Sequence, residues 1–166
     1  MKIGVDVFAQ QGIGDHQIQQ LIQLSHTDPD VKKFTSDPTR FADLSCFNLW
    51  LQQGRIIYTL FDSNSNLLGI IWFGQKEPPV NSSANFTFAI RIYPPARGCG
   101  LALPFMKLAF ADLLQHQSQS HITGFWLETD AANSTAIHLY RKFGFRQISR
   151  QRHRVFMVLS QNKVSL

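Results

Sequence analysis

Between Asp15 and Ser25 the apolar residues Ile18, Leu21, Ile22 and Leu24 recur at helical spacing, with Asp15 available as a cap, and predict a first helix. A loop carrying Asp28-Pro29-Asp30 and Asp37-Pro38 follows, and Phe41, Leu44, Phe47 and Leu51 predict a second helix over 41–53, closed by Gly54. The pattern then shifts to β-branched and aromatic residues. Stretches 55–61 and 67–73 read as a hairpin around the turn residues Asp62 to Asn66, and 86–92 alternates as a strand after a polar, proline-containing loop over 78–85. A long apolar helix over 101–117, a strand over 122–129, a short helix over 134–143 and strands over 145–148 and 154–159 complete the chain. Strand, helix and strand at the centre make 86–92 and 122–129 parallel neighbours, while the flanking hairpins are antiparallel. A mixed sheet is expected.

Length and composition narrow the class. With 166 residues and 44% apolar content the chain reads as a single domain, 1–166. No run approaches the roughly 18 apolar residues of a membrane span, and Met1 to Asp6 lacks the apolar block of a signal peptide, so a soluble, cytoplasmic protein is expected. Cys46 and Cys99 have no metal-ligand spacing to another Cys or His, so neither a disulfide nor a metal is expected. Without export, the Asn-x-Ser/Thr sequons at Asn81, Asn85 and Asn133 carry no expectation of glycan.

Charge adds one question. The net charge of +5 and the basic run Arg141, Lys142, Arg146, Arg150, Arg152, Arg154 suit a nucleic-acid surface, yet these charges alternate with apolar residues as on strands with one wet face. Membrane and nucleic acid are therefore not expected partners.

The chemistry concentrates where the strand over 86–92 runs through Pro94-Pro95 into Arg97-Gly98-Cys99-Gly100-Leu101-Ala102 and then a helix. Two glycines let a ligand reach the backbone, and the helix start points unpaired N–H groups and its positive dipole end at the turn. Arg97 is expected to add positive charge at the mouth. Such a turn suits phosphate. A P-loop is absent, since no Gly-Lys-Ser/Thr occurs. A dinucleotide fingerprint fails as well, because Leu103 stands at its third glycine and Glu128 lies too far on.

The segment Arg97 to Ala102 resembles the Gln/Arg-x-x-Gly-x-Gly/Ala loop of the GNAT N-acetyltransferase superfamily. The segment Leu127 to Phe145, with Asn133-x-x-Ala136-x-x-Leu139-Tyr140 and Gly144-Phe145, is similar to that family's strand, helix and exit, and Leu127-Glu128 resembles the strand of ribosomal-protein N-terminal acetyltransferases. This resemblance covers 85–160 well and the first 80 residues only by element order. It implies an α/β (α+β) fold with a mixed, mostly antiparallel sheet of six to seven strands, about four helices and a splayed central parallel strand pair. It also implies acetyl-CoA as cosubstrate, bound by Arg97, Gly98, Cys99, Gly100, Leu101, Ala102, Asn133 and Tyr140 and by the strand edge of Ile90 and Ile92. The basic C-terminal third would then lie near the adenosine 3′-phosphate of CoA. The implied activity is transfer of an acetyl group to a primary amine by direct attack in a ternary complex; a non-catalytic acyl-CoA-binding module remains the alternative.

Transfer to an amine needs a neutral nitrogen, although a lysine amine titrates near 10.4, so a base is wanted, with a proton donor for the departing sulfur. Glu128, at the end of its strand, is the expected base, with Asp130 or an ordered water as alternatives and a plain surface carboxylate as the competing reading. Tyr140, two helical turns beyond Asn133, is the expected acid, against a purely core role. Asn133 also suits a helix cap. Cys99 as a nucleophile is the weaker reading, and His138 suits a surface or core position better than a ligand role. Pro104 requires the helix to begin near Leu101 or Ala102.

The resemblance also implies that the acceptor, a small molecule or a peptide N-terminus, is contacted by 26–38 and 146–156; Asp28, Asp30 and Asp37 in the first of these suit a cationic amine, with plain Asp-Pro turn chemistry as the competing reading. The aromatics around Trp72 and Phe73 are a hint of a homodimer.

Overall fold

A computed structural model describes residues 2–4, 6–116 and 122–164. Its strands are β1 (Lys2–Gly4), β2 (Val7–Gln11), β3 (Ile56–Asp62), β4 (Leu67–Gln75), β5 (Phe86–Ile92), β6 (Gly124–Asp130), β7 (Arg146–Gln151) and β8 (Arg154–Ser160). Among the described residues they form one sheet in the order β1-β2-β3-β4-β5-β6-β8-β7. Only β5 and β6 run parallel. The helices are α1 (Asp15–Thr27), α2 (Pro29–Phe34), α3 (Asp37–Arg40), α4 (Leu44–Leu51), α5 (Ala102–His116) and α6 (Ser134–Phe143).

The mixed sheet and parallel centre match expectation, and β5 and α6 fall on their expected residues. Two strands are additional. β2 pairs along β3 from Val7↔Asp62 to Gln11↔Tyr58, and β1 folds back on β2, so the N-terminal segment extends the sheet. The loop expected after the first helix contains α2 and α3, and each of its Asp-Pro steps sits at a helix start. Asp28 caps α2, accepting from the amides of Asp30 and Val31, while Pro29 occupies a position where no N–H is needed. Asp15 does not cap α1; that place belongs to Gly14, whose N–H donates to Gln17 Oε1 at 3.1 Å. The second long helix begins later than expected, at Leu44, because Asp43 accepts from the amide of Cys46 and so sets its start. The expected end of α5 at Gln117 lies outside the described residues.

Strand alternation divides the core between the two faces of the sheet. On one face Ile71, Phe73, Phe88, Ile90, Phe125 and Leu127 meet Phe105, Phe110 and Leu113 of α5 and Phe143 of α6. On the other, Ile57, Ile70 and Trp72 meet Leu21 of α1 and Phe47 and Trp50 of α4. Trp72 and Phe73 are therefore buried, at 4% and 0% exposure, and offer no surface for the self-association expected of them. Among the described residues no helix is long and apolar enough to cross a membrane.

Phe110 is the hub of the first face, with ring centroids 4.7 Å from Phe125 and Phe143, 4.9 Å from Phe73 and 5.0 Å from Phe88. Replacing it with Ala removes a fully buried ring from a close-packed cluster. Phe110→Ala is expected to lower unfolding stability by about 3–5 kcal/mol, read as an earlier midpoint in urea.

Candidate active site

Pairing between β5 and β6 ends almost as soon as it begins, with Phe86↔Phe125 and Thr87↔Trp126. On its other side β5 stays paired with β4 along its whole length, from Gln75↔Phe86 to Gly69↔Ile92. The amide of Tyr93 donates to Leu68 O, and alternation along the strand then turns the main-chain groups of Arg91 and Ala89 toward β4 and those of Ile92 and Ile90 toward β6. Two of these gap-facing groups are occupied. The carbonyl of Ile90 accepts from Arg91 Nη1 at 2.9 Å and that of Ile92 from Arg97 Nε at 2.8 Å, which leaves the amides of Ile90 and Ile92 facing the gap. A cleft of about 780 Å³ passes through here, bounded by the glycine turn, α6, and the segment from α2 to α3.

The turn after β5 is a short 3₁₀ segment, Pro94–Ala96, followed by Gly98 and Gly100, both left-handed with φ of 78° and 72°. Among the described residues the amides of Gly98, Gly100, Leu101, Ala102 and Leu103 meet no acceptor, so the start of α5 presents a row of unpaired N–H groups. Pro104, third in α5, takes nothing from that row. Gly98, Gly100, Leu101 and Ala102 line the cleft; Cys99 does not, and its exposed thiol lies 3.7 Å from Arg97 O.

Arg97 is positioned differently from expectation. Its Nη2 lies 2.5 Å from Asp28 Oδ2 and its Nη1 3.0 Å from Asp30 Oδ2, with Nε on the Ile92 carbonyl. Its charge is matched by two carboxylates of α2. Arg97 ties the glycine turn to α2 and adds no free charge at the mouth, so an anion at the turn would be held by backbone amides and the helix dipole.

Asn133 caps α6 as expected, with Oδ1 accepting from the amide of Ala136 at 3.1 Å, and also lines the cleft. Tyr140 lies on the buried side of α6 with its ring 6.2 Å from Phe88 and 6.0 Å from Phe145, and it too lines the cleft. Burial raises its pKa above the ordinary tyrosine value, opposed by the charges of Arg91 and Arg154. Glu128 faces the cleft from β6, and its Oε1 accepts from Arg154 Nη2 at 3.0 Å. That partner stands diagonally across the β6–β8 pair, where Glu128 is opposite Phe156. The structure thus brings Glu128, Tyr140, Asn133, Ile90, Ile92 and the glycine turn to one cleft. His138 is exposed, away from any such role.

The three acidic residues near the acceptor side are already engaged. Besides the Asp28 and Asp30 pairs with Arg97, the buried Asp37 accepts from Arg91 Nε at 2.6 Å, from Arg91 Nη2 at 3.1 Å and from Arg40 Nη1. Burial would lower the pKa of Arg91, but Asp37 holds it above the usual arginine value. The Trp72 ring lies 4.8 Å from the guanidinium of Arg91 and 5.5 Å from that of Arg40. Nothing in the linear order points to this cluster, since Asp37, Trp72 and Arg91 are far apart in the chain. Among the described residues no group of acidic, His or Cys side chains could hold a metal ion.

A sheet parted at its single parallel pair, with bare amides at the helix start beside the gap, defines a coenzyme A-dependent acyltransferase. The sequence model of the Acetyltransferase (GNAT) family matches residues 16–145, and the chain belongs to that family. It is an N-acetyltransferase with acetyl-CoA as cosubstrate. Among solved structures, the fold is similar to spermidine N-acetyltransferase from Vibrio cholerae in complex with CoA and spermine, with a TM-score of 0.72 at 17% identity over 96% of this chain and 98% of that one. The protein smu.2055 from Streptococcus mutans UA159 gives a TM-score of 0.72 at 12% identity over 93% and 99%. A dodecameric Vibrio cholerae spermidine N-acetyltransferase structure gives 0.65 at 15% over 95% of each. No curated protein matches the chain.

Removing the carboxylate beneath the cleft would strand buried guanidinium charge. Asp37→Ala is expected to cost about 3–5 kcal/mol of unfolding stability, measured in urea, whereas Asp30→Ala on the exposed side of the Arg97 pair is expected to cost less than about 1 kcal/mol.

Proposed function

We propose that this enzyme acetylates a primary amine by direct attack, with CoA held along the β5 edge and the glycine turn, Glu128 as base and Tyr140 as acid. The observation that carries this reading is the early end of β5–β6 pairing beside a row of unpaired amides. The pantetheine arm has peptide-like groups, so the amides of Ile90 and Ile92 suit its carbonyls. The amides of Gly98, Gly100, Leu101, Ala102 and Leu103 suit the diphosphate, and Asn133 reaches the same cleft from the start of α6. Cys99 is set apart from this role, since it lies outside the cleft and its amide donates to Ala96 O at 3.4 Å.

The bound cosubstrate supplies an activated acetyl thioester. Glu128 takes a proton from the acceptor's ammonium, directly or through a water, so that the neutral amine attacks the thioester carbonyl, while Arg154 fixes the orientation of Glu128 through Oε1. Tyr140 gives its phenolic proton to the departing sulfur. Burial suits it to that task, since a raised pKa keeps the phenol protonated until the moment of transfer. A peptide N-terminus or a small amine both remain acceptors under this mechanism. A cytoplasmic location fits the supply of acetyl-CoA, and the exposed Leu44, Leu49 and Ile148 offer apolar surface for self-association.

Two measurements test the assignment. Gly100→Val places a β-branched residue at a left-handed φ, and it is expected to weaken CoA binding roughly 10- to 100-fold by calorimetry; unchanged affinity would remove the turn from the site. Glu128→Gln and Tyr140→Phe are each expected to lower kcat about 10²- to 10⁴-fold in thiol release while CoA still binds. In the parent enzyme the acid must keep its proton, and its raised pKa moves the alkaline loss upward. The rate is therefore expected to hold until above about pH 10, and a fall at lower pH that persists in Tyr140→Phe would assign that limb to another group.

A further inference from the structure

The acceptor half of the cleft lies on the sheet face of Trp72, Thr87, Arg91, Trp126 and Glu128, opposite α5, and it is bounded by Ser36 and Arg40. Its charges have a consistent sign. The carboxylates of Asp30 and Asp37 are bonded to arginine and are not free to receive a second cation, while Glu128, bonded to Arg154 through Oε1, is the carboxylate that meets the reacting amine. Glu77, exposed on the loop after β4, is the one cleft carboxylate among the described residues with no ion-pair partner.

Cations are in surplus on the same walls. Arg40, Arg91 and Arg55 gather around Trp50 and Trp72 with Asp37 as the one carboxylate bonded to any of them. Arg55 does not line the cleft, and its Nε and Nη1 are buried without hydrogen-bond partners; Arg91 and Arg40 both line it, Arg40 the more open of the two with its side chain 29% exposed. Burial lowers the pKa of Arg40, with smaller lowering from the charges of Arg91 and Arg55, against the raising effect of Asp37. Along the loop after β4, Lys76 lies 5.9 Å from the Trp126 ring and pairs with no carboxylate among the described residues. Trp126 is fixed there by Nε1 donating to Lys76 O at 2.6 Å.

We propose that the acceptor is a small amine that also carries an oxyanion, a carboxylate or a phosphate, received by Arg40 and Lys76 while its amine faces Glu128. This rests on the acetyl-transfer reading and adds the substrate class to it. A second ammonium at that end would meet Arg40 and Lys76 with every nearby carboxylate but Glu77 already taken. A guanidinium beside a flat indole suits an oxyanion bonded in the plane of the guanidinium.

The test is a matched series of straight-chain primary amines of equal length ending in carboxylate, phosphate, methyl or a second amine. Their binding is measured by calorimetry on protein preloaded with CoA, and kcat/KM by thiol release from acetyl-CoA. The anionic members are expected to exceed the methyl-ended amine by roughly 10- to 100-fold, with the diamine weakest; the better of carboxylate and phosphate identifies the group. Lys76→Gln, an exposed change away from the core, is expected to shrink that advantage, and Arg40→Gln to shrink it further. A diamine that binds as well as the anionic members, no binding by any member, or an anionic preference untouched by both substitutions overturns the proposal. Failure of CoA itself to bind would instead remove the transferase reading on which it rests.

Discussion

Backbone pairing between β5 and β6 stops after two residues, and the remainder of the site depends on that stop. A parallel pair that continued would spend the main-chain groups of Ile90 and Ile92 on the sheet, leaving neither room nor donors between the strands. Each side of the gap is held elsewhere. β5 keeps its full ladder to β4, and β6 keeps its own to β8 from Gly124↔Ser160 to Asp130↔Arg154, so the parting costs the sheet little continuity. Arginines then finish the edge: Arg91 and Arg97 take the carbonyls of Ile90 and Ile92 and leave only donors exposed. An edge of donors is selective for a ligand rich in carbonyl and phosphate oxygens.

The same arginines join the two ends of the cleft. Arg97 connects the glycine turn to Asp28 and Asp30 of α2, and Arg91 connects β5 to Asp37 at the start of α3. Tyr93 is buried between these clusters, and burial, reinforced by Asp37 and Asp28, drives its pKa far above the ordinary tyrosine value. The segment from α2 to α3 is thus anchored by ion pairs to β5 and to the glycine turn that follows it. Short helices of six and four residues could not hold that position by their own hydrogen bonds, since isolated helices of this length are marginal in water.

Much of this was legible in the chain. The Gly98-x-Gly100 turn needed no tertiary information, because left-handed backbone at a helix start is a local property that glycine meets at no steric cost. Asn133 followed from capping, and the periodicity of α5 and α6 from apolar spacing. The N-terminal strands were missed because short edge strands carry too few alternating residues to register. The acidic segment over 28–37 was misread because Asp-Pro serves a turn and a helix start equally well. Which of the two forms depends on what the carboxylate later meets.

Taken alone, the sequence determined the order of elements, the parallel centre and the phosphate-suited turn, since each rests on spacing or on the backbone freedom of residues close together in the chain. Only the tertiary structure decided how charge is distributed over the site. Arg97, Asp28, Asp30, Asp37 and Glu128 each read as a free charge in the linear chain, and folding pairs them with one another or with Arg40, Arg91 and Arg154 across as many as 69 positions. Coulomb energy depends on distance and burial, and neither exists before the chain has packed.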